Sequence, residues 1–191
     1  MTLPFAPSEV TLTAIKNHRE TRSPFTGRSQ TQLALNEWWL GTLRLDPIPD
    51  EQAAEWRTFI LQQKGRLRTF RLGPHRPNAG PGGSPVVEGS GQLGNLLLTR
   101  GWNPNSPNRL LAGDHIEVDE RLYLVTMAFG SDESGRAFIP IWPRLRGSPL
   151  DGAEVITDDP RGRFRLSRVR NPHTIEPGPL TSIQLEFVEA L

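Results

Sequence analysis

The residues able to do chemistry are scattered through this chain rather than gathered. His18, His75, His115 and His173 have no i,i+4 partner and no HExxH setting, so they do not form a metal-binding pattern. Asp114 follows a glycine, Asp119-Glu120 separates two apolar runs, and Asp158-Asp159 precedes a proline. Those spacings suit turns at least as well as a paired-carboxylate acid/base site. Ser23, Ser90 and Ser134 lack the nucleophile-elbow pattern. Gly130–Gly135 offers oxygens from Ser131, Asp132, Glu133 and Ser134 to a calcium ion, but without EF-hand length or the distal glutamate. The Gly/Pro-rich run between Gly73 and Gly94 is no phosphate loop, because no Lys-Ser/Thr follows and no helix opens after it. Trp102 and Trp142 could stack on sugar rings, or else belong to a core or an interface. With no cysteine, thiolate ligands, disulfides and thiol nucleophiles are excluded. The reading is a non-enzyme with no cofactor and no metal.

Charge and composition narrow the classes further. A net charge of +1 gives no general pull toward nucleic acid or anionic membrane. Residues 1–73 hold ten Lys+Arg against seven Asp+Glu, residues 74–162 eight against eleven, and residues 163–191 four against three. Eighteen glycines and eighteen prolines cluster between short apolar runs, the composition of an all-β chain with long connections. No apolar core of signal-peptide length opens the chain, and no stretch is long enough to span a membrane. The expectation is a soluble product of the cytoplasm.

One segment reads as helix. Pro49 to Lys64 carries Asp50 as N-cap, Glu51 in the first turn, Ala53, Trp56, Phe59 and Ile60 on one face, Lys64 in the last turn and Gly65 past it. Around it the chain alternates like strand. A first strand lies within 8–18, and Thr21–Arg28 is a basic, turn-rich loop whose Phe25 fits either its own core or a subunit contact. From Gln32 to Leu45 one parity holds Leu33, Leu35, Trp39, Leu43 and Leu45, interrupted by Glu37 and Gly41. Arg66–Leu72 is a short strand with Phe70 and Leu72 inward and Arg66, Arg68 and Arg71 mostly outward.

A second strand-rich unit follows the Gly/Pro run. Its strands are Leu96–Thr99, His115–Val118, Arg121–Thr126, Ala137–Pro143 and Asp151–Ile156, with Asp119-Glu120 as a tight connection. Pro140 places its strand at an edge or on a bulge. So many short strands in so few residues suit a small closed barrel. Arg163–Leu166 re-enters strand, and Ile183, Leu185 and Phe187 alternate cleanly at the end. The last strand should complete the sheet begun by residues 8–45. The expected organisation is therefore a discontinuous sheet domain, 1–73 plus 163–191, carrying 74–162 as an inserted small β-barrel domain.

Several segments together resemble a known family. They are Thr21–Arg28, the Trp38-containing strand, the Pro49–Lys64 helix, Thr69–Gly73, Ala112–Ile116 with Leu122–Val125, Pro143–Arg146 with Asp151–Val155, and Gly162–Leu166. In this order they look like the distal tail proteins of long-tailed, non-contractile bacteriophages, along essentially the whole chain. The resemblance implies a mainly β fold, a tail-tube-like β-sandwich flanked by one helix with an inserted OB-like barrel. It also implies a homo-hexameric ring at the tail tip, in the virion. Its partners would be the tail tube protein, the tail hub or baseplate and the tape-measure protein, around a channel for DNA. It implies neither sequence-specific nucleic-acid binding nor membrane insertion. The chain closes on a sheet strand, so the galectin-like C-terminal domain of some relatives is not expected.

A ring needs two different patches that meet. The candidates are Arg22, Phe25 and Arg28 in the basic loop and Arg66, Arg68 and Arg71 of the arginine-bearing strand. The alternative is a carbohydrate-binding adhesion module that touches a host through the barrel, with Trp102 and Trp142 as its ligand contacts. Single-strand nucleic-acid binding by the barrel is disfavoured by the barrel's excess of acid.

Overall fold

The computed structural model describes residues 3–74, 83–107, 110–168, 173–175 and 180–190, with only the backbone described at 19, 33–35 and 173–175. The expected alternation at Leu33 and Leu35, and residues 75–82 of the Gly/Pro run with His75, lie outside the described side chains. The chain is mainly β with one helix. Its elements are β1 (Glu9–Arg22), β2 (Ser29–Pro49), α1 (Asp50–Gln62), β3 (Phe70–Leu72), β4 (Gly83–Val87), β5 (Gly94–Trp102), β6 (His115–Val118), β7 (Arg121–Val125), β8 (Ala137–Leu145), β9 (Gly162–Leu166), β10 (His173–Ile175) and β11 (Leu180–Glu189).

The first sheet has the order β1-β2-β11-β9-β3, with β10 paired to β11, and every pairing is antiparallel. Alternation decides its faces. Trp39, Leu43 and Leu45 of β2, Phe70 and Leu72 of β3, Phe164 and Leu166 of β9, and Ile183, Leu185 and Phe187 of β11 are all buried together with Ala53, Trp56 and Phe59 of α1. The helix thus closes one face of the sheet. Rings run edge-to-face from Phe5 through Trp56, Phe59, Phe70 and Phe187 to Phe164, with centroids 5.0–6.3 Å apart, the offset geometry aromatic quadrupoles favour. Gly41 breaks the apolar parity for a steric reason: a Cβ there would collide with the Thr11 carbonyl and the Phe187 ring.

The helix begins differently from expectation. Pro49, not Asp50, stands at the N-cap, with φ −54° and ψ 146° and no side-chain cap. Pro49 is still paired to Leu180 in the sheet, so β2 runs straight into α1 and Asp50 becomes its first helical residue. The Asp50 carboxylate instead takes the Arg57 guanidinium at 2.6 Å. Gln62 is the last helical residue, and Lys64 (φ 49°) and Gly65 (φ 70°) both lie beyond it in left-handed conformation. Ile60 is only half-buried.

The second sheet has the order β4-β5-β8-β7-β6 and curls. Its two edges are joined by the segment after β8, through antiparallel bridges Val86↔Glu154 and Glu117↔Ile156. The expected strand at 151–156 is therefore a seam of isolated bridges, with Val155 N–H on the Pro85 carbonyl (3.0 Å) and Ile156 N–H on the Glu117 carbonyl (2.9 Å). Pro140 lies on a central strand, and a bulge absorbs it: Leu96 pairs with Pro140, whereas Gly94 pairs with Leu145. β4 occupies residues expected to be loop. At the β6–β7 turn Asp119 and Glu120 both adopt positive φ (50° and 61°), as a two-residue hairpin of this hand requires.

Candidate assembly interface

β1 and β2 are much longer than the sheet that holds them. β11 pairs with β2 only between Leu40 and Pro49, so farther out β1 is the one strand paired with β2 among the described residues. The ladder slips between Lys16 and His18, which pair with Glu37 and Leu33 respectively, so three residues of β2 stand opposite one of β1. A bulge of this kind bends the pair out of the sheet. Beyond it, five register pairs from His18↔Leu33 to Arg22↔Ser29 form a two-stranded arm, roughly 15–20 Å long at strand rise. Every residue from Lys16 to Gln32 whose exposure is described is exposed, apart from a half-buried Ser23.

The arm tip is a closed turn. Gly27 N–H donates to the Ser23 carbonyl (3.0 Å), Ser23 N–H to the Arg28 carbonyl (2.9 Å), and Arg22 Nε to the Gly27 carbonyl (3.2 Å). Gly27 supplies the left-handed φ of 68° that the turn needs. Phe25 stands at this tip 96% exposed, between Arg22 and Arg28. Its own core does not receive it.

The second arginine set separates. β3 is only three residues long, so Arg66 and Arg68 lie in the turn after α1, exposed. The turn forms because Arg68 N–H folds back onto the Gln63 carbonyl (3.1 Å). Arg71 alone is on the strand, and it is not free for another subunit: it pairs with Glu117 of β6 and approaches Glu120 at 3.9 Å.

That pair belongs to a polar seam the sequence reading missed. Glu189, 2% exposed at the end of β11, receives Arg121 Nε and Nη2 on one oxygen (3.0 and 2.8 Å) and the Trp39 N–H on the other (3.2 Å). Glu37 receives the Arg144 N–H at 3.0 Å, and its carbonyl receives the Arg146 guanidinium. Glu117, buried between Arg71 and the Arg161 N–H (2.8 Å), is held above the usual carboxylate range by desolvation, which those two donors partly oppose. Trp39 donates its indole N–H to the Leu122 carbonyl (2.9 Å) and meets Trp142 edge-on at 4.5 Å. Leu122, Leu124 and Trp142 of the barrel pack into the first sheet's core. A carboxylate on a buried parity, such as Glu37 beside Trp39 and Glu189 beyond Phe187, was the available signal.

The tryptophan expectation is corrected by burial. Trp102 is 3% exposed, donates to Thr99 Oγ1 (2.8 Å) and meets Phe129 edge-on at 5.4 Å; Trp142 is 4% exposed, with the Lys16 ammonium 5.7 Å from its ring centre. Neither offers a ring face to a ligand.

The turn carboxylates are used by their own turns. Asp132 accepts the Ser134 and Arg136 N–H groups (2.8 and 2.9 Å), Asp114 that of Leu111 (2.8 Å), and Asp159 pairs with Arg161 (2.6 Å). His18 lies exposed on the arm, His115 lies against Trp39 at 5.9 Å, and the His75 and His173 side chains are outside the described set. Among the described residues, no three His, Asp or Glu side chains gather as a metal site, and no helix is long and apolar enough to cross a membrane. No protein-family model matches the chain, and no curated protein matches it significantly.

Proposed function

We propose that this chain is a structural protein of a bacteriophage tail tip, whose copies form a six-fold ring that joins the tail tube to the hub around the DNA channel. The observation that carries the reading is the β1–β2 arm. A lone two-stranded ribbon is marginally stable in water, and an exposed phenylalanine at its tip gains nothing within the monomer. Both become favourable when another subunit covers them. The clamped seam adds a second support, because a barrel tied to the sheet by buried ion pairs moves with it as one building block. In this role the chain makes no chemical step; its work is self-association and contact with neighbouring tail proteins. The carbohydrate-binding alternative loses its ligand contacts to burial of Trp102 and Trp142.

Electron microscopy of the purified chain tests the reading. Class averages should show closed rings with an open centre, and Phe25→Asp should abolish them. Glu133→Lys, on the barrel's exposed hairpin, should leave them intact. Rings that persist with Phe25→Asp would remove the arm from the interface.

A further inference from the structure

The geometry points to a specific seat for the arm: the Phe25 tip of one copy inserts into the pocket between the N-terminal segment and the outer face of α1 on the next copy. The inference rests on the self-association reading above and names the surface that receives the arm. The pocket is open, about 540 Å³, with Leu3, Pro4, Ala54 and Phe59 supplying apolar surface and Glu55 and Gln62 reaching it from the helix. A phenyl ring fits in such a volume with room for the flanking backbone. Charge agrees with shape. Phe25 is bracketed by Arg22 and Arg28, while Glu55 lies one helical turn beyond Glu51, both exposed on α1. Asp50, already paired with Arg57, is not needed.

A copy cannot fill its own pocket. β2 carries the chain from the arm at Ser29 to the helix at Asp50, roughly 65–70 Å measured along the strand, so knob and socket lie at opposite ends of one element. Two different patches at opposite ends make a heterologous contact, which generates rings when its rotation closes. The predicted contact is therefore head-to-tail, with an aromatic anchor in an apolar pocket and guanidinium groups on the acidic rim, the make-up of an interface hot spot.

The absence of cysteine allows a clean test. Thr26→Cys beside the knob and Gln62→Cys at the socket, made in separate full-length chains and mixed, should join through a short bis-maleimide, whereas either variant alone should not. Ser134→Cys on the barrel serves as control partner and should not join to Thr26→Cys. Adding Phe25→Ala to the Thr26→Cys chain should lower the cross-linked yield about tenfold or more, as loss of an anchor does. Glu55→Arg on the Gln62→Cys chain should lower it too, with recovery when Arg22→Glu and Arg28→Glu are placed on the partner. Chains that associate by mass yet join Thr26→Cys to Ser134→Cys and not to Gln62→Cys would overturn this seat while leaving self-association intact. Chains monomeric by mass at every concentration, with no pair joined, would overturn both.

Discussion

Glu189 shares the inward face of β11 with Ile183, Leu185 and Phe187, and its charge is compensated only because Arg121 and the Trp39 N–H reach it. Removing one partner of a buried pair leaves the other unpaired, so Glu189→Ala should destabilise the protein by about 3 kcal/mol, read from urea unfolding. An unchanged midpoint would mean that the seam is not formed. His115 gives a pH signature. Burial lowers its pKa to about 4 from 6.5, with Asp114 weakly opposing. Between these values the unfolded chain takes up a proton that the folded chain refuses. The His115 contribution is thus fully present above about pH 6.5 and is lost as pH falls toward 4, amounting to about 3 kcal/mol. Glu117, raised by burial, acts in the opposite sense, so the readout is the difference between wild type and His115→Phe. Wild type should gain stability relative to His115→Phe as pH rises from about 4 to neutrality, and parallel pH profiles would contradict it. Single residues were the least legible scale in the sequence: Glu37 and Glu189 broke or followed an apolar parity, and only their partners from distant segments explain why.

α1 is the element whose reading transferred best, because helical spacing of Ala53, Trp56 and Phe59 depends only on local sequence. Trp56 is fully buried between Phe5 and Phe59, so Trp56→Ala should cost about 3–5 kcal/mol in unfolding free energy. A loss under about 0.5 kcal/mol would mean that the ring is exposed. Gly41→Ala should cost about 1–3 kcal/mol by overpacking, since β1 and the Phe187 ring leave no space for a methyl group. Element ends were less legible. The N-cap shifted to Pro49 because β11 holds that residue, and β3 shrank to three residues because the chain turns back on Gln63. β4 was hidden by glycine and proline, yet pairing with β5 and the bridge at Val86 make it strand. The arm was legible as a basic loop with a phenylalanine, while its length was not, because strands without a buried face show no alternation.

The whole molecule is a sheet-and-helix unit built from residues 9–72 and 162–189 and a curled barrel built between them. That chain path was readable from the parity of the first and last strands. The docking of the two was not, since Trp39, Trp142 and the carboxylates meet only in three dimensions. Because Leu122 and Trp142 belong to the first sheet's core, deleting residues 80–160 should leave a less stable remnant that uncovers Trp39. The central claim is association through the arm, and solution mass by light scattering tests it most directly. Wild type should show a species of six times the 21.3 kDa subunit mass, and Phe25→Asp should run at the single-subunit mass with an unchanged unfolding midpoint, its side chain being exposed in the monomer. A Phe25→Asp chain with the same mass distribution as wild type would contradict the account.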